Sequence, residues 1–227
     1  MSGLWTIIPV KDTLFSKQRL GERLTDKERQ ILAQTMLEDV LDAVIPTQDI
    51  SPIVLVTVDP AAGRLAAQLG LRTLADGASD GHTGAVTAAA QRLSFEGARG
   101  FVTIPGDLPS ATTADVRSLL QCHNAVSDPA FTIVPSHDRK GSNAIACSPA
   151  SAVPLRFGDD SFYPHLAAAR ERGIEPTILE LPSIAEDIDT PQDIDRFMAL
   201  PGTQSTRTYA YLKEIGCTSP ATVKGSA

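Results

Sequence analysis

The chain has 227 residues, 42% of them hydrophobic and 5% aromatic, with a formal net charge of -7. That length and apolar content suit one domain with a packed core rather than two of full size, and the composition is not that of a disordered chain. The acidic balance excludes a general nucleic-acid binder, which needs clustered Lys and Arg, and no stretch approaches the ~18 apolar residues of a membrane helix.

In chain order, Thr6 to Val10 reads as a first strand, followed by a polar loop with Lys11, Lys17, Arg19 and Arg23. Cations gathered after a strand can satisfy several phosphate oxygens at once, although a solvated basic loop is the plainer reading. Neither the Walker spacing nor the dinucleotide Gly-x-Gly-x-x-Gly is present there. Thr25-Asp-Lys-Glu28 has the form of a capping box, and Ile31, Leu32, Met36, Leu37, Val40, Leu41 and Val44 recur at helical spacing until Pro46. Ile53 to Val58 predicts a second strand, Asp59-Pro60 a helix to Leu69, Leu71 to Leu74 a third strand, and His82 to Leu93 an alanine-rich helix.

Phe101 to Ile104 is a buried-strand pattern running through Pro105-Gly106 to Asp107. In an open parallel sheet that C-terminal edge is where ligands bind, so Asp107 is a candidate metal ligand as well as an ordinary turn residue. Thr112 or Thr113 then opens a helix to about Cys122; Phe131 to Val134 is a fifth strand, and Ala144 to Cys147 a short further one. Phe157 to Ser161 leads into a helix ending near Gly173, Ile178 to Leu181 is the last strand of note, and Thr190-Pro-Gln-Asp193 caps a final helix to Leu200. This alternation predicts a single α/β domain over residues 1–200, a mostly parallel twisted sheet with helices on both faces. Residues 201–227 form a C-terminal tail with one short helical stretch, Tyr209 to Ile215, and frayed ends.

The cysteines, Cys122, Cys147 and Cys217, suggest neither a disulfide framework nor a zinc site, and the four histidines show no ligand spacing and read mostly as surface or loop residues. The N-terminus lacks the pattern of a secretory leader, so a cytoplasmic setting is expected.

Asp187-Ile-Asp189 places two carboxylates two positions apart; in an extended segment both point to one side, with Ile188 turned to the core. Short hard-oxygen ligands suit magnesium, although loops before helices also carry Asp for capping. A basic loop, a carboxylate after a central strand and a late carboxylate pair together suit transfer at the α-phosphorus of a triphosphate. If the acceptor is itself an ionised phosphate, positioning and charge neutralisation suffice without a general base.

Ile7-Ile-Pro-Val-Lys11, Ser16-Lys17-x-Arg19-Leu20, Ile104-Pro-Gly-Asp107-Leu-Pro109, Gly141-Ser-Asn-Ala144, Phe157 to Phe162 with His165, and Asp187-Ile-Asp189-Thr-Pro-Gln-Asp193 occur in that order. Over roughly residues 5 to 200 the chain thereby resembles the 2-phospho-L-lactate guanylyltransferase family. The resemblance implies a nucleotidyltransferase-type, Rossmann-like fold. The implied reaction joins GTP to 2-phospho-L-lactate, phosphoenolpyruvate or 3-phospho-D-glycerate with release of pyrophosphate, in biosynthesis of the deazaflavin coenzyme factor 420. By position it assigns magnesium to Asp107, Asp187 and Asp189, the acid to Asn143, Gly158 and Ser161, and the GTP phosphates to Lys11, Lys17 and Arg19.

Two departures stand out. Gly81-His82-Thr83 replaces a common Gly-Leu-Asn and leaves Thr83 as the candidate nucleotide contact there. Asp159-Asp160 lies where many relatives have Pro-Gly; two added acceptors could suit the extra hydroxyl of 3-phosphoglycerate, while solvent-facing turn aspartates are the plainer reading. The alternatives carried beside the guanylyltransferase are a metal-dependent glycosyltransferase using a sugar nucleotide and a GTP-binding regulator without turnover. A homodimer is the assembly left open.

Overall fold

The computed structural model describes residues 3–13 and 17–217. Its strands are β1 (Leu4–Pro9), β2 (Ile53–Val56), β3 (Arg72–Leu74), β4 (Gly100–Thr103), β5 (Ala130–Pro135), β6 (Ser142–Ser148) and β7 (Thr177–Ile178). Its helices are α1 (Asp26–Val44), α2 (Pro60–Gln68), α3 (Gly81–Phe95), α4 (Thr113–Asn124), α5 (Phe162–Glu171), α6 (Pro191–Ala199) and α7 (Arg207–Glu214). The strands make one sheet in the order β3-β2-β1-β4-β6-β5-β7. The pairs β3–β2, β2–β1, β1–β4 and β5–β7 are parallel, whereas β6 runs antiparallel to both β4 and β5.

Side chains alternate across the sheet as the period of a strand requires. Ile8, Leu55, Val102 and Ala146 face α1, α2 and α4, while Ile7, Val54, Phe101 and Ile145 face α3 and α5, so helices cover both faces. The capping box at Thr25 is formed, with Glu28 N–H donating to the threonine hydroxyl and the Glu28 carboxylate accepting from Thr25 N–H at 2.8 Å. Gly100 is required by a close approach: a Cβ there would lie 2.2 Å from the carbonyl oxygen of Cys147 on β6.

Two features differ from expectation. The strand foreseen at Ala144 to Cys147 is the seven-residue β6. Its reversed direction delivers its first residues to the same edge as the C-terminal ends of β1 and β4. The last strand is shorter than Ile178 to Leu181, ending at Ile178. The helix at Thr190 ends at Ala199, and α7 follows where the helical stretch Tyr209 to Ile215 was expected.

A third apolar cluster lies off the sheet. It joins Leu20 and Leu24, Leu32 and Met36 of α1, Ile188, Ile194 and Phe197 of α6 and its approach, and Leu212 and Cys217 at the end of the described chain. The helical stretch expected near Tyr209 to Ile215 is thus packed against the domain, and part of the segment after Pro201 belongs to a core cluster. Residues beyond 217 lie outside the described part, as does the expectation that the end frays.

Candidate active site

The strand order reverses between β1, which continues to β2, and β4, which lies on its other side. Such a switch point opens a crevice beyond the carboxyl ends of the strands. Here it is a cleft of about 1210 Å³ lined by Lys11, Lys17, Arg19, His82, Thr83, Asp107, Asn143, Gly158, Ser161, Asp187 and Asp189 among others. That volume exceeds the ~300–1,000 Å³ usual for one small ligand and leaves room for two.

Three local devices bring the charged groups together. Beyond β4 the chain turns through Pro105-Gly106 to Asp107, whose carbonyl accepts from Ile188 N–H at 3.4 Å. Ile188 is fully buried in the third cluster, which turns its neighbours Asp187 and Asp189 to the cleft. The Asp193 carboxylate accepts from Asp189 N–H at 2.9 Å and Thr190 N–H at 2.6 Å, fixing that loop against α6. On the other side, Leu20 is fully buried just past Lys17, and Arg23 ties this turn to α6 through Asp195 at 2.6 Å and the Pro191 carbonyl at 3.1 Å.

Lys17 stands between the two acidic segments. Its backbone is left-handed, φ 55°, a conformation that costs a non-glycine residue about 1–2 kcal/mol and must be held by its surroundings. Its ammonium donates to Asp107 Oδ2 at 2.7 Å and Asp189 Oδ1 at 2.5 Å, with only 6% of the side chain exposed. Burial alone would depress the Lys17 pKa, but the charges of Asp107 and Asp189 and the hydrogen bonds to them outweigh it and hold it above the ordinary value. Burial would likewise raise the Asp107 pKa, and the Lys17 ammonium holds it below the ordinary value instead. Asp187 lies outside this bridge: burial, then the like charges of Asp107 and Asp189, push its pKa up to about 6. One ammonium among three carboxylates leaves a surplus of negative potential.

Across the cleft, the Asn143 amide donates to the Ile184 carbonyl at 3.0 Å and to Asp187 Oδ1 at 3.3 Å. Ser161 is buried beside Ser142, and its hydroxyl lies 3.1 Å from the Ser142 hydroxyl. Gly158 has φ 133°, a conformation favouring glycine in the loop before α5. The Thr83 hydroxyl accepts from Phe157 N–H at 2.9 Å, which fastens that loop to α3, and His82 stacks on the Phe157 ring at 4.0 Å. Arg19 and Lys11 are exposed at the cleft, and Arg19 lies 3.8 Å from Asp159, whose side chain is 93% exposed. That placement matches a solvent-facing turn aspartate.

The residues singled out in the sequence therefore line one cleft; Lys17 touches Asp107 and Asp189, whereas Lys11 and Arg19 do not. Ser16 of the basic motif lies outside the described residues. Among the described residues no three Asp, Glu, His or Cys side chains are gathered so as to hold a metal ion by themselves. The expectation of surface histidines is corrected: His123 and His165 are buried inside hydrogen-bond networks, and His82 is packed on Phe157. Their isolated positions in sequence carry no signal of this, because the hydrogen-bond partners come from other elements that only folding brings alongside. Ser142 was missed as a cleft residue, although its place beside Asn143 at the start of a strand pointed there.

The matches to known proteins extend over nearly the whole chain. Residues 4–226 match the family model described as guanylyl transferase CofC like, beyond Pro201 where the motif resemblance stops. The chain is 34% identical over 204 residues to a phosphoenolpyruvate guanylyltransferase of Rubrobacter xylanophilus, covering 88% of this chain and 96% of that one. It is 32% identical over 209 residues to a 2-phospho-L-lactate guanylyltransferase of Methanothermobacter thermautotrophicus, covering 92% and 89%. The crystal structure of a nucleotide-diphospho-sugar transferase candidate from Desulfovibrio desulfuricans shares the fold, with TM-score 0.73 at 21% identity over 94% of this chain and 95% of that one. A cleft with a lysine bridging two acidic segments, on a chain so extensively matched, belongs to a member of the CofC-like guanylyl transferase family.

Proposed function

We propose that the chain transfers the guanylyl group of GTP to the phosphate of a small phosphorylated acid and releases pyrophosphate, as a step toward a deazaflavin coenzyme. The observation that carries this reading is the bridging of Asp107 and Asp189 by Lys17, with Asp187 alongside, in a cleft roomy enough for two substrates. An acceptor phosphate oxygen attacks the α-phosphorus; the bond to the α,β-bridging oxygen breaks, and its electron pair leaves with pyrophosphate.

Asp107, Asp187 and Asp189 would supply the one or two carboxylates that magnesium commonly takes, with water and phosphate completing its shell. Asp107 and Asp189 already hold the Lys17 ammonium, and Asp187 beside them has its pKa raised by burial first and then by the like charges of Asp107 and Asp189. When bound there, the ion would offset charge on the attacking and leaving oxygens. Lys17 would orient the phosphates between the acidic segments, and exposed Lys11 and Arg19 would draw the triphosphate in. Asn143, Gly158 and Ser161 would hold the acid, and Thr83 would keep the Phe157 loop closed over the nucleotide side. The acceptor enters as an ionised phosphate, so orientation rather than proton abstraction is what the side chains supply.

The test is pyrophosphate release by the purified protein with GTP, magnesium and, side by side, 2-phospho-L-lactate, phosphoenolpyruvate and 3-phospho-D-glycerate. Release with one acid, abolished by chelator and restored by magnesium, is the expected result. Silence with all three overturns the reading, and release of nucleoside diphosphate from a sugar donor replaces it with a glycosyltransferase.

A further inference from the structure

His165 and Ser142 form a pair that resembles a base and its nucleophile, with Nδ1 2.9 Å from the serine Oγ. The other ring nitrogen decides what the pair can do. Nε2 lies 2.9 Å from the backbone N–H of Arg156, which can only donate, so Nε2 carries the lone pair and Nδ1 the hydrogen. The imidazole therefore donates to Ser142 and is not placed to receive its proton. Aromatic neighbours favour this neutral form: the Phe157 ring meets His165 edge-on at 5.3 Å and Phe131 lies at 6.1 Å. Burial pushes the His165 pKa down to about 4.

The direction of the remaining hydrogen bonds follows by counting. Ser142 Oγ accepts from His165, and Ser161 Oγ lies 3.1 Å away. Two hydroxyl hydrogens belong to these serines, and one is used between them. Whichever serine donates to the other, one hydroxyl hydrogen is left over, and His165 offers it no acceptor. Both serines are buried and both line the cleft beside Asn143.

We infer that His165 is a positioning residue whose fixed tautomer leaves the Ser142–Ser161 pair one hydroxyl donor directed to an anionic oxygen of the bound acid. The inference rests on the proposed guanylyl transfer for the identity of the ligand, and adds Ser142 to the residues that hold it. The opposite tautomer would take the spare hydrogen into His165 and leave the cleft with two acceptors facing an anion.

Two measurements test it. In the free protein, nitrogen-15 shifts of the His165 ring at pH 7 should show a protonated Nδ1 and an unprotonated Nε2, and the pattern should persist at pH 5. The reverse tautomer or an imidazolium overturns the inference without touching the proposed reaction. In pyrophosphate release, the double variant Ser142→Ala with Ser161→Ala, which has no hydroxyl hydrogen left, should raise KM for the acid about tenfold to a hundredfold, the loss expected for one hydrogen bond to a charged group. KM for GTP should stay within about twofold, and each single variant should lose less than the double, because the serine that remains keeps one hydroxyl hydrogen for the acid. An active wild type whose double serine variant keeps its KM for the acid, or shifts both substrates alike, overturns the inference and leaves the guanylyltransferase standing. A wild type silent with every acid overturns both the reaction and this ligand.

Discussion

The backbone N–H of Ile188 donates to the carbonyl oxygen of Asp107 at 3.4 Å, joining two acidic segments far apart in sequence. The contact makes Asp107, Asp187 and Asp189 neighbours, with Lys17 closing the gap between Asp107 and Asp189. Since Ile188 is fully buried, the spacing of the carboxylates is set by a packed core cluster rather than by a loose loop.

Asp107→Asn keeps the shape of the turn and removes one charge from the bridge. Pyrophosphate release is expected to fall by about a hundredfold or more, the scale of losing one charge-stabilising group, while circular dichroism and the melting profile stay close to wild type. An active Asp107→Asn enzyme would remove that carboxylate from the mechanism.

Lys17→Met removes the only cation bonded to Asp107 and Asp189 among the described residues. Lys17 lowers the Asp187 pKa against burial and the two like charges, so in the variant that pKa should rise beyond its value of about 6. Carbon-13 titration of the Asp187 carboxyl measures it, and an unchanged or lower value would contradict the arrangement. Turnover with GTP should drop in the same variant.

Leu212→Ala probes whether the chain after Pro201 supports the site. Leu212 is fully buried against α1 and α6 in the cluster that also holds Leu20 and Ile188. The cavity should cost about 2–5 kcal/mol in urea unfolding. A loss below ~1 kcal/mol would show that α7 contributes little to this core.

His123 gives a pH-dependent prediction independent of the cleft. It is fully buried, with Nδ1 3.0 Å from Thr132 Oγ1 and Nε2 2.8 Å from Ser148 Oγ, and burial, then the nearby Arg99 charge, holds its pKa at about 4 against an ordinary 6.5. Between those values the unfolded chain binds the proton and the folded chain does not, so stability is full above 6.5 and is lost as pH falls toward 4. From pH 7 to pH 5 this one histidine should cost roughly 2 kcal/mol. Chemical denaturation of His123→Gln should show a correspondingly smaller loss between those two pH values, and an equal loss would contradict it.

Local pattern made much of this protein legible. The period of α1 and its capping box, the apolar runs of β1, β2 and β4, and the alternation at Asp187-Ile188-Asp189 follow from side-chain direction in helices and strands. Motif order named the family, which the match over residues 4–226 places on firmer ground. The short last strand was misjudged because strand ends depend on pairing partners, not on local period.

Local pattern alone was enough to place most helices and strands and to pick out the carboxylates and cations that line one cleft. Packing in three dimensions sets the antiparallel run of β6 that brings Ser142 and Asn143 to the cleft, the insertion of Lys17 between Asp107 and Asp189, and the burial that keeps His123 and His165 neutral. Those outcomes depend on which distant backbone lies alongside and how much water it excludes, and pKa, tautomer and ion pairing all follow from that exclusion.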